Sequence, residues 1–184
     1  AIGVAGYAVF FMMALQRVEA SRAAVVVTTN PVFTTLLAAW SALLHRYSGQ
    51  PDLLVGVPVA GRGRVEIEGL IGLFVNTLVL RTDVSGNPRF RELIARVRQV
   101  SLEAYAHPDL PFEKLVEELQ PERELSRNPL FQVMFNVYNA PRSPFRLSGI
   151  EATLLPVGGE RARFDLSLSV LETSEGLVAA LEYN

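Results

Sequence analysis

The sequence has 184 residues, of which 17 are basic and 19 acidic, and its formal net charge is −2 at pH 7. The two signs of charge are interspersed, so the chain has no broad basic surface for a nucleic-acid backbone, and we expect no nucleic-acid partner. The chain has no cysteine, which excludes disulfides and thiolate metal sites and fits a reducing cytoplasm. The two histidines, His45 and His107, are far apart in sequence, so we expect no metal site.

Apolar residues make up 49% of the chain and are concentrated in its first 40 residues. Residues 1–15 carry no charge, and a second uncharged stretch follows at 23–40 after a polar hinge. The second stretch is marginally long enough to span a bilayer, which takes roughly 17–25 residues. A buried helix pair, a signal peptide and an apolar helical hairpin that crosses a membrane are the three interpretations. We favour the hairpin, because no basic residue precedes the apolar run as in a signal peptide.

From Pro31 onward the apolar pattern changes to that of a globular domain. Residues 31–47 show helical spacing, with Gly49 at the C-terminal stop. The continuous apolar run at 52–59 predicts a strand covered on both faces, and a second strand is predicted at 74–81. A long helix follows to about residue 106, with Asn87 as its N-cap and Pro88 as its first residue.

The remainder of the chain predicts one short helix and several strands. Residues 111–119 form an amphipathic helix, and strict alternation from Phe131 to Tyr138 predicts a strand. Further strands are predicted at 150–155, 165–171 and 177–183, with a hairpin turn at 174–176 joining the last two. Because no β-α unit repeats, we expect an α/β fold of the α+β kind, in which helices flank a mixed sheet.

Three blocks of sequence follow one another in this part of the chain. Residues 71–81 read Ile-Gly-Leu-Phe-Val-Asn-Thr-Leu-Val-Leu-Arg, and residues 106–113 read Ala-His-Pro-Asp-Leu-Pro-Phe-Glu. Residues 123–130 read Arg-Glu-Leu-Ser-Arg-Asn-Pro-Leu and lead into Phe-Gln-Val-Met-Phe. In this order and spacing the blocks resemble the condensation domains of nonribosomal peptide synthetases, which join two carrier-bound aminoacyl groups through an amide bond. The resemblance begins at about Leu36 and implies the chloramphenicol-acetyltransferase-like fold, whose two lobes embrace a tunnel.

The catalytic motif of that family is absent from this sequence. The motif consists of two adjacent histidines followed after three residues by Asp-Gly, whereas His45 and His107 stand apart. We therefore interpret residues 36–184 as the C-terminal lobe of a condensation domain and expect the chain alone to be inactive. The resemblance implies three partners, namely carrier domains, adjacent synthetase domains and the N-terminal lobe of the same domain. It implies no directly bound cofactor, since the phosphopantetheine arm of a carrier tethers each substrate.

The resemblance also suggests residues for the wall of the tunnel. Asn76 could orient the acceptor substrate, because an amide side chain both donates and accepts hydrogen bonds; alternatively it satisfies a backbone bend. Arg62 and Arg81 could pair with a carboxylate of the N-terminal lobe, or they are ordinary surface arginines. We do not assign His107 as a general base, because the family has a non-catalytic histidine there. The polar loop at 123–128 could bind a phosphate, but a capped, hydrogen-bonded loop is the commoner arrangement.

Two other functions remain as alternatives. Residues 20–38 look like the drug/metabolite transporter superfamily (EamA-like), so residues 1–35 would be a transmembrane or chimeric segment joined to the domain at 36–184. A transporter is supported by the first 40 residues only, and a membrane is expected as a partner only if that segment is native. A coenzyme A-dependent acyltransferase of the same fold is the second alternative, which the three blocks disfavour by analogy.

Overall fold

The computed structural model describes residues 31–61, 65–68, 70–121, 127–138, 162–173 and 175–184. The predicted strand at 150–155 therefore lies outside the described residues. In chain order the helices and strands are α1 (Pro31–Ser48), β1 (Asp52–Ala60), α2 (Val65–Glu68), β2 (Val75–Asp83), α3 (Phe90–Tyr105), α4 (Phe112–Leu119), β3 (Val133–Tyr138), β4 (Leu166–Thr173) and β5 (Gly176–Tyr183).

The five strands form one sheet in the order β2-β1-β3-β4-β5. The outer pairs β1–β2 and β4–β5 are antiparallel, whereas β1–β3 and β3–β4 are parallel, which confirms the predicted mixed sheet. The hairpin between β4 and β5 closes at Thr173↔Gly176, as the turn residues predict. β5 forms one edge of the sheet, and every one of its residues is exposed.

Helices α1 and α3 cover one face of this sheet. Buried side chains of both helices pack against those of the central strands, and the core includes Phe33, Leu37, Trp40, Leu93, Val97, Val55, Val57, Leu80 and Phe135. Phe33 is at the centre of this layer, with its ring centroid 5.6 Å from that of Phe135 and 6.4 Å from that of Tyr105. Burying a side chain of this size contributes about 1.5–3 kcal/mol, so the helix layer is the main source of stability that the described residues show.

Helix α3 begins two residues later than predicted. Its N-cap is Arg89, whose backbone N–H donates to Glu92 Oε2 at 2.9 Å, so a carboxylate three residues on satisfies the first turn of the helix. The predicted N-cap, Asn87, is wrong because its φ of 48° is left-handed, whereas an N-cap residue normally adopts an extended conformation. Asn87 instead belongs to the tight turn between β2 and α3.

Helix α1 runs without a break across the predicted boundary between residues 35 and 36. Phe33 and Thr34 are both buried, so the packed lobe includes residues on both sides of that boundary. Residues 1–30 of the predicted apolar hairpin lie outside the described residues, whereas residues 31–40 of its second stretch form the first part of α1. Among the helices of the described ranges, none is both long and apolar enough to cross a bilayer.

Phe131 closes the sheet over β1 on the face opposite the helices. Val55 and Val57 point toward the helices, so the missing side chain of Gly56 leaves room on the other face. The ring of Phe131 fills that room: a Cβ on Gly56 would lie only 2.8 Å from its Cδ2 atom. Phe131 is itself held between Phe112 and Phe164, with ring centroids 5.6 Å and 5.3 Å away. An apolar strand interrupted by a glycine is a signal of such close approach.

Two truncations test where the folded lobe begins. Deleting residues 1–30 should leave the cooperative thermal transition in place, because α1 stays whole. Deleting residues 1–35 also removes Phe33, and loss of a large buried aromatic side chain costs about 3–5 kcal/mol. Thermal and urea unfolding of both truncated chains, beside the full chain, gives the comparison. Equal stability of the two truncated chains would contradict the packing assigned to Phe33.

Gly56→Ala tests the contact with Phe131. We expect a loss of about 1–3 kcal/mol in the free energy of unfolding, because the added methyl group overpacks a ring that two other rings hold in place. Phe131→Leu should relieve part of this loss when the two substitutions are combined, which a double-mutant cycle measures. Additive effects would show that the two positions are not in contact.

Candidate functional site

Asn76 lies at the start of β2, on the edge of the sheet, opposite Val59 of β1. Its Nδ2 donates to the carbonyl oxygens of Pro108 and Leu110, at 2.9 Å and 2.8 Å. Its Oδ1 accepts from the backbone N–H of Thr77 at 2.9 Å and of Phe112 at 3.1 Å. One amide group therefore uses both of its donors and both acceptor positions on backbone atoms. Two of the four bonds reach the loop between α3 and α4, and a third reaches Phe112 at the start of α4.

These bonds join the first sequence block to the second. Alternation along β2 places Asn76 on the same face as the buried Leu78 and Leu80, which is the face that the helices cover. These partners agree with the alternative interpretation, in which the Asn76 side chain satisfies backbone groups at a bend. The role of Asn76 in orienting the acceptor substrate stays a prediction. To bind the acceptor, the amide would have to exchange one of these hydrogen bonds for a bond to the substrate.

Arg81 forms a bidentate ion pair with Asp52 of the neighbouring strand. Its Nε donates to Asp52 Oδ1 at 3.0 Å and its Nη2 to Oδ2 at 2.8 Å. The hydrogen bonds from Arg81 lower the pKa of Asp52 below its ordinary value, but the two side chains are 72% and 48% exposed, so solvent screens the pair. Alternation places Arg81 on the face opposite the helices. The predicted contact with a carboxylate of the N-terminal lobe stays a prediction, with Asp52 as a competing partner.

Arg62 lies outside the described residues, as do residues 123–126 of the third block. Of that block, Asn128 supports the interpretation as a capped loop. Its Oδ1 accepts from the backbone N–H of Leu130 at 3.2 Å and of Phe131 at 3.4 Å. Its own carbonyl accepts from Gln132 Nε2 at 2.7 Å. The turn before β3 is thereby fixed, and with it the position of the Phe131 ring.

Contacts between rings join the second block to the third. Phe112, the first residue of α4, packs its ring against that of Phe131, directly before β3. Together with the bonds of Asn76, this contact brings all three blocks to one region of the lobe, although they are far apart in sequence. The role of the described block residues is mainly to fix backbone segments. Sequence patterns revealed neither this aromatic contact nor the part played by Asp52, because each depends on strand register or tertiary packing.

The sheet face opposite the helices has a different character. Its side chains are identified by alternation with the buried ones. Near the centre most are small or polar, namely Gly56, Pro58, Thr77, Asn136, Ser167 and Ser169, and the apolar Val79 and Met134 lie beside them. Exposed apolar side chains stand farther out, among them Leu54, Val75, Tyr138 and Val178.

The chain matches the family model described as "Condensation domain" over residues 13–184. It is 57% identical over 157 residues to one of the linear gramicidin synthase proteins of Brevibacillus parabrevis, an alignment that covers 83% of this chain and 3% of that protein. It is 48% identical over 153 residues to malpinin synthetase of Mortierella alpina, covering 83% of this chain and 2% of that one.

Solved structures agree with the sequence matches. The X-domain from teicoplanin biosynthesis is 31% identical with a TM-score of 0.75, over 90% of this chain and 38% of that chain. The first condensation domain of the CDA synthetase is 26% identical with a TM-score of 0.63, over 92% and 37% of the two chains. These neighbours share the chloramphenicol-acetyltransferase-like fold predicted from the sequence.

The matches also concern where the lobe begins and whether the transporter alternative has support. The family model begins at Met13, well before the predicted boundary at residues 35 and 36, so it includes much of the segment assigned to a separate unit. The resemblance of the first 40 residues to the drug/metabolite transporter superfamily receives no support from these matches. The chain spans only a small share of each relative, and it aligns with little more than a third of each of the two solved domains. By its sequence and by its fold, the chain belongs to the condensation-domain family of nonribosomal peptide synthetases and corresponds to the C-terminal half of such a domain.

Proposed function

We propose that this chain supplies the C-terminal lobe of a condensation domain that forms an amide bond between two substrates held as thioesters on carrier domains. The observation that carries the proposal is the 57% identity to a linear gramicidin synthase protein over 157 residues. The hydrogen bonds of Asn76 and the contact between Phe112 and Phe131 support it, because they give the three family blocks one shared position in the lobe.

The reaction requires little from this lobe beyond positioning. The acceptor amine attacks the thioester carbon, so that a C–N bond forms, the C–S bond breaks, and a proton of the amine passes to the departing thiolate, which becomes a thiol. Neither histidine of the chain suits that proton transfer: they are not adjacent, and His107 lies exposed in the turn after α3, where its backbone N–H donates to Ala104. The proton is therefore handled by the N-terminal lobe. Alignment of two reactants alone supplies a large share of a rate enhancement.

The partners follow from the family. Condensation domains work with carrier domains and with adjacent synthetase domains, and the carriers hold their substrates on a phosphopantetheine tether. We propose that this lobe meets the N-terminal lobe through the sheet face opposite the helices, where the described residues expose apolar side chains such as Leu54 and Val75. Arg81 lies on that face and is placed to exchange Asp52 for a carboxylate of the other lobe.

A reconstituted domain tests the proposal. The chain alone should give no dipeptide above uncatalysed aminolysis in a single-turnover assay with loaded donor and acceptor carriers. The same chain fused behind the N-terminal lobe of the linear gramicidin synthase relative should give dipeptide, because the paired histidines are then restored. Replacing both motif histidines in the fusion by alanine is the control. An acyl-coenzyme A donor in a parallel reaction tests the alternative acyltransferase.

Two results would contradict the proposal. One is dipeptide formation by the chain alone. The other is an inactive fusion that melts in one cooperative transition, since a folded domain with both lobes present should align the substrates.

Asn76→Ala in the same fusion separates the two roles of this residue. We expect the free energy of unfolding to fall by about 1–3 kcal/mol, because partly buried backbone groups at Pro108 and Phe112 lose their partner. If Asn76 also orients the acceptor, the folded variant will lose a further factor on the order of ten to a thousand in rate, at about 1.4 kcal/mol for each factor of ten. Asn76→Asp is the matched control, since it keeps the two accepted bonds and loses the two donated ones. Unchanged stability in Asn76→Ala would refute the structural role.

A further inference from the structure

Asn136 stands in the middle of β3 on the sheet face opposite the helices. Its neighbour Phe135 is fully buried in the core, so alternation turns Asn136 the other way. The Asn136 side chain is half-buried, and it makes no hydrogen bond within the described part of the chain. Its two donors and its acceptor are therefore available to a group outside these residues.

Two hydroxyl groups lie beside this amide. Ser169 of β4 is in direct register with Asn136, and Ser167 is in register with Met134, one step away on the same face. Neighbouring strands are about 4.8 Å apart, so a ligand that reaches the amide also reaches the hydroxyl of Ser169. Like the amide, neither serine side chain makes a hydrogen bond among the described residues, and Ser167 is buried. The three side chains form a polar patch with unused donors and acceptors.

The pairing between β1 and β3 ends next to this patch. β1 and β3 pair only at Val55↔Val133 and Gly56↔Met134. Beyond those two positions β1 stays paired with β2 as far as Ala60, whereas β3 stays paired with β4 as far as Tyr138. Asn136 lies on the part of β3 beyond this pairing, and so on its β1 side it has no paired residue within the described ranges.

We propose that Asn136 and Ser169, with Ser167 beside them, bind a secondary amide group of the extended chain that carries the substrate. This inference rests on the proposed function. An asparagine side chain offers one acceptor and two donors, so it can pair with both the N–H and the C=O of an amide. A serine hydroxyl rotates to donate or to accept a hydrogen bond, so it can bind whichever amide group, N–H or C=O, the asparagine leaves free. Secondary amides occur both in the pantetheine arm and in a peptidyl donor, and the test distinguishes these two sources.

A different occupant would give a different result. If a backbone segment of the N-terminal lobe pairs with Asn136, the contact is structural, and its loss weakens the domain rather than substrate binding. If substrate pairs with it, replacing Asn136 breaks no bond within the lobe, so stability is unchanged and KM rises. The separation of KM from melting temperature is therefore the decisive measurement.

The test uses the fused domain described above with Asn136→Ala and Ser169→Ala. We expect each substitution to lower kcat/KM roughly tenfold, mainly through KM, as the loss of one or two uncharged hydrogen bonds would. Asn136→Gln should recover part of the loss. Glu172→Ala is the matched control, because Glu172 is exposed on β4 and points to the opposite face.

Three substrates identify the source of the amide. A dipeptidyl donor differs from an aminoacyl donor on the same carrier by one residue and the peptide amide that joins it, so a loss confined to the dipeptidyl donor assigns the site to the peptide. An equal loss with both assigns it to the pantetheine arm. In that case aminoacyl S-ethyl thioesters, which lack that arm, should react equally with the wild-type domain and with Asn136→Ala.

A second measurement tests the amide site independently of the proposed function. Free pantetheine or N-acetyl-alanine amide, added to the full chain, should shift the side-chain NH2 resonances of Asn136 in an NMR titration. An inactive fusion with this shift would refute the proposed function alone. An active fusion whose kcat/KM is the same in Asn136→Ala, or a variant that only melts earlier, would overturn the amide site.

Discussion

The sheet has two faces, and within the described residues the helices cover only one of them. Val55, Leu80 and Phe135 bury their side chains beneath α1 and α3, and this layer holds the lobe together. The opposite face has no comparable cover among those residues, and its apolar side chains are exposed around a polar centre. Exposed apolar side chains on a sheet face gain stability when another surface covers them.

The family blocks are informative about architecture first. Asn76 uses its whole amide on backbone groups, and Asn128 caps the turn that leads into β3. Phe131 then fills the space above Gly56. Each of these residues fixes a backbone segment that would otherwise be loosely held. A match to such blocks is strong support for the fold, whereas the chemistry has to be located in side chains that the fold leaves without partners. Asn136 is one such side chain, and no family block pointed to it.

Local sequence patterns were sufficient to predict most of the helices and strands. Helical spacing from Pro31 and alternation around Phe135 predicted α1 and β3 to within about two residues, because the apolar face of each is also the buried face. The start of α3 was misplaced, since Asn87 has the composition of a cap but the conformation of a turn. The prediction that β1 is covered on both faces holds only in part: Gly56 lies under Phe131, while Leu54 is exposed. The ion pair of Arg81 with Asp52 could not be predicted, because it depends on the register between two strands.

Strand β5 has a consequence for how such a lobe can exist. Among the described strands it lies at an edge of the sheet, and its exposed side chains include Leu177, Val178, Leu181 and Tyr183. An apolar edge offers free backbone donors and acceptors to any other extended chain, including a second molecule of the same kind. Separated lobes would therefore tend to associate edge to edge while they fold. In a long multidomain chain, the segments next to β5 are synthesised together with it. They can cover this edge before β5 meets a second chain.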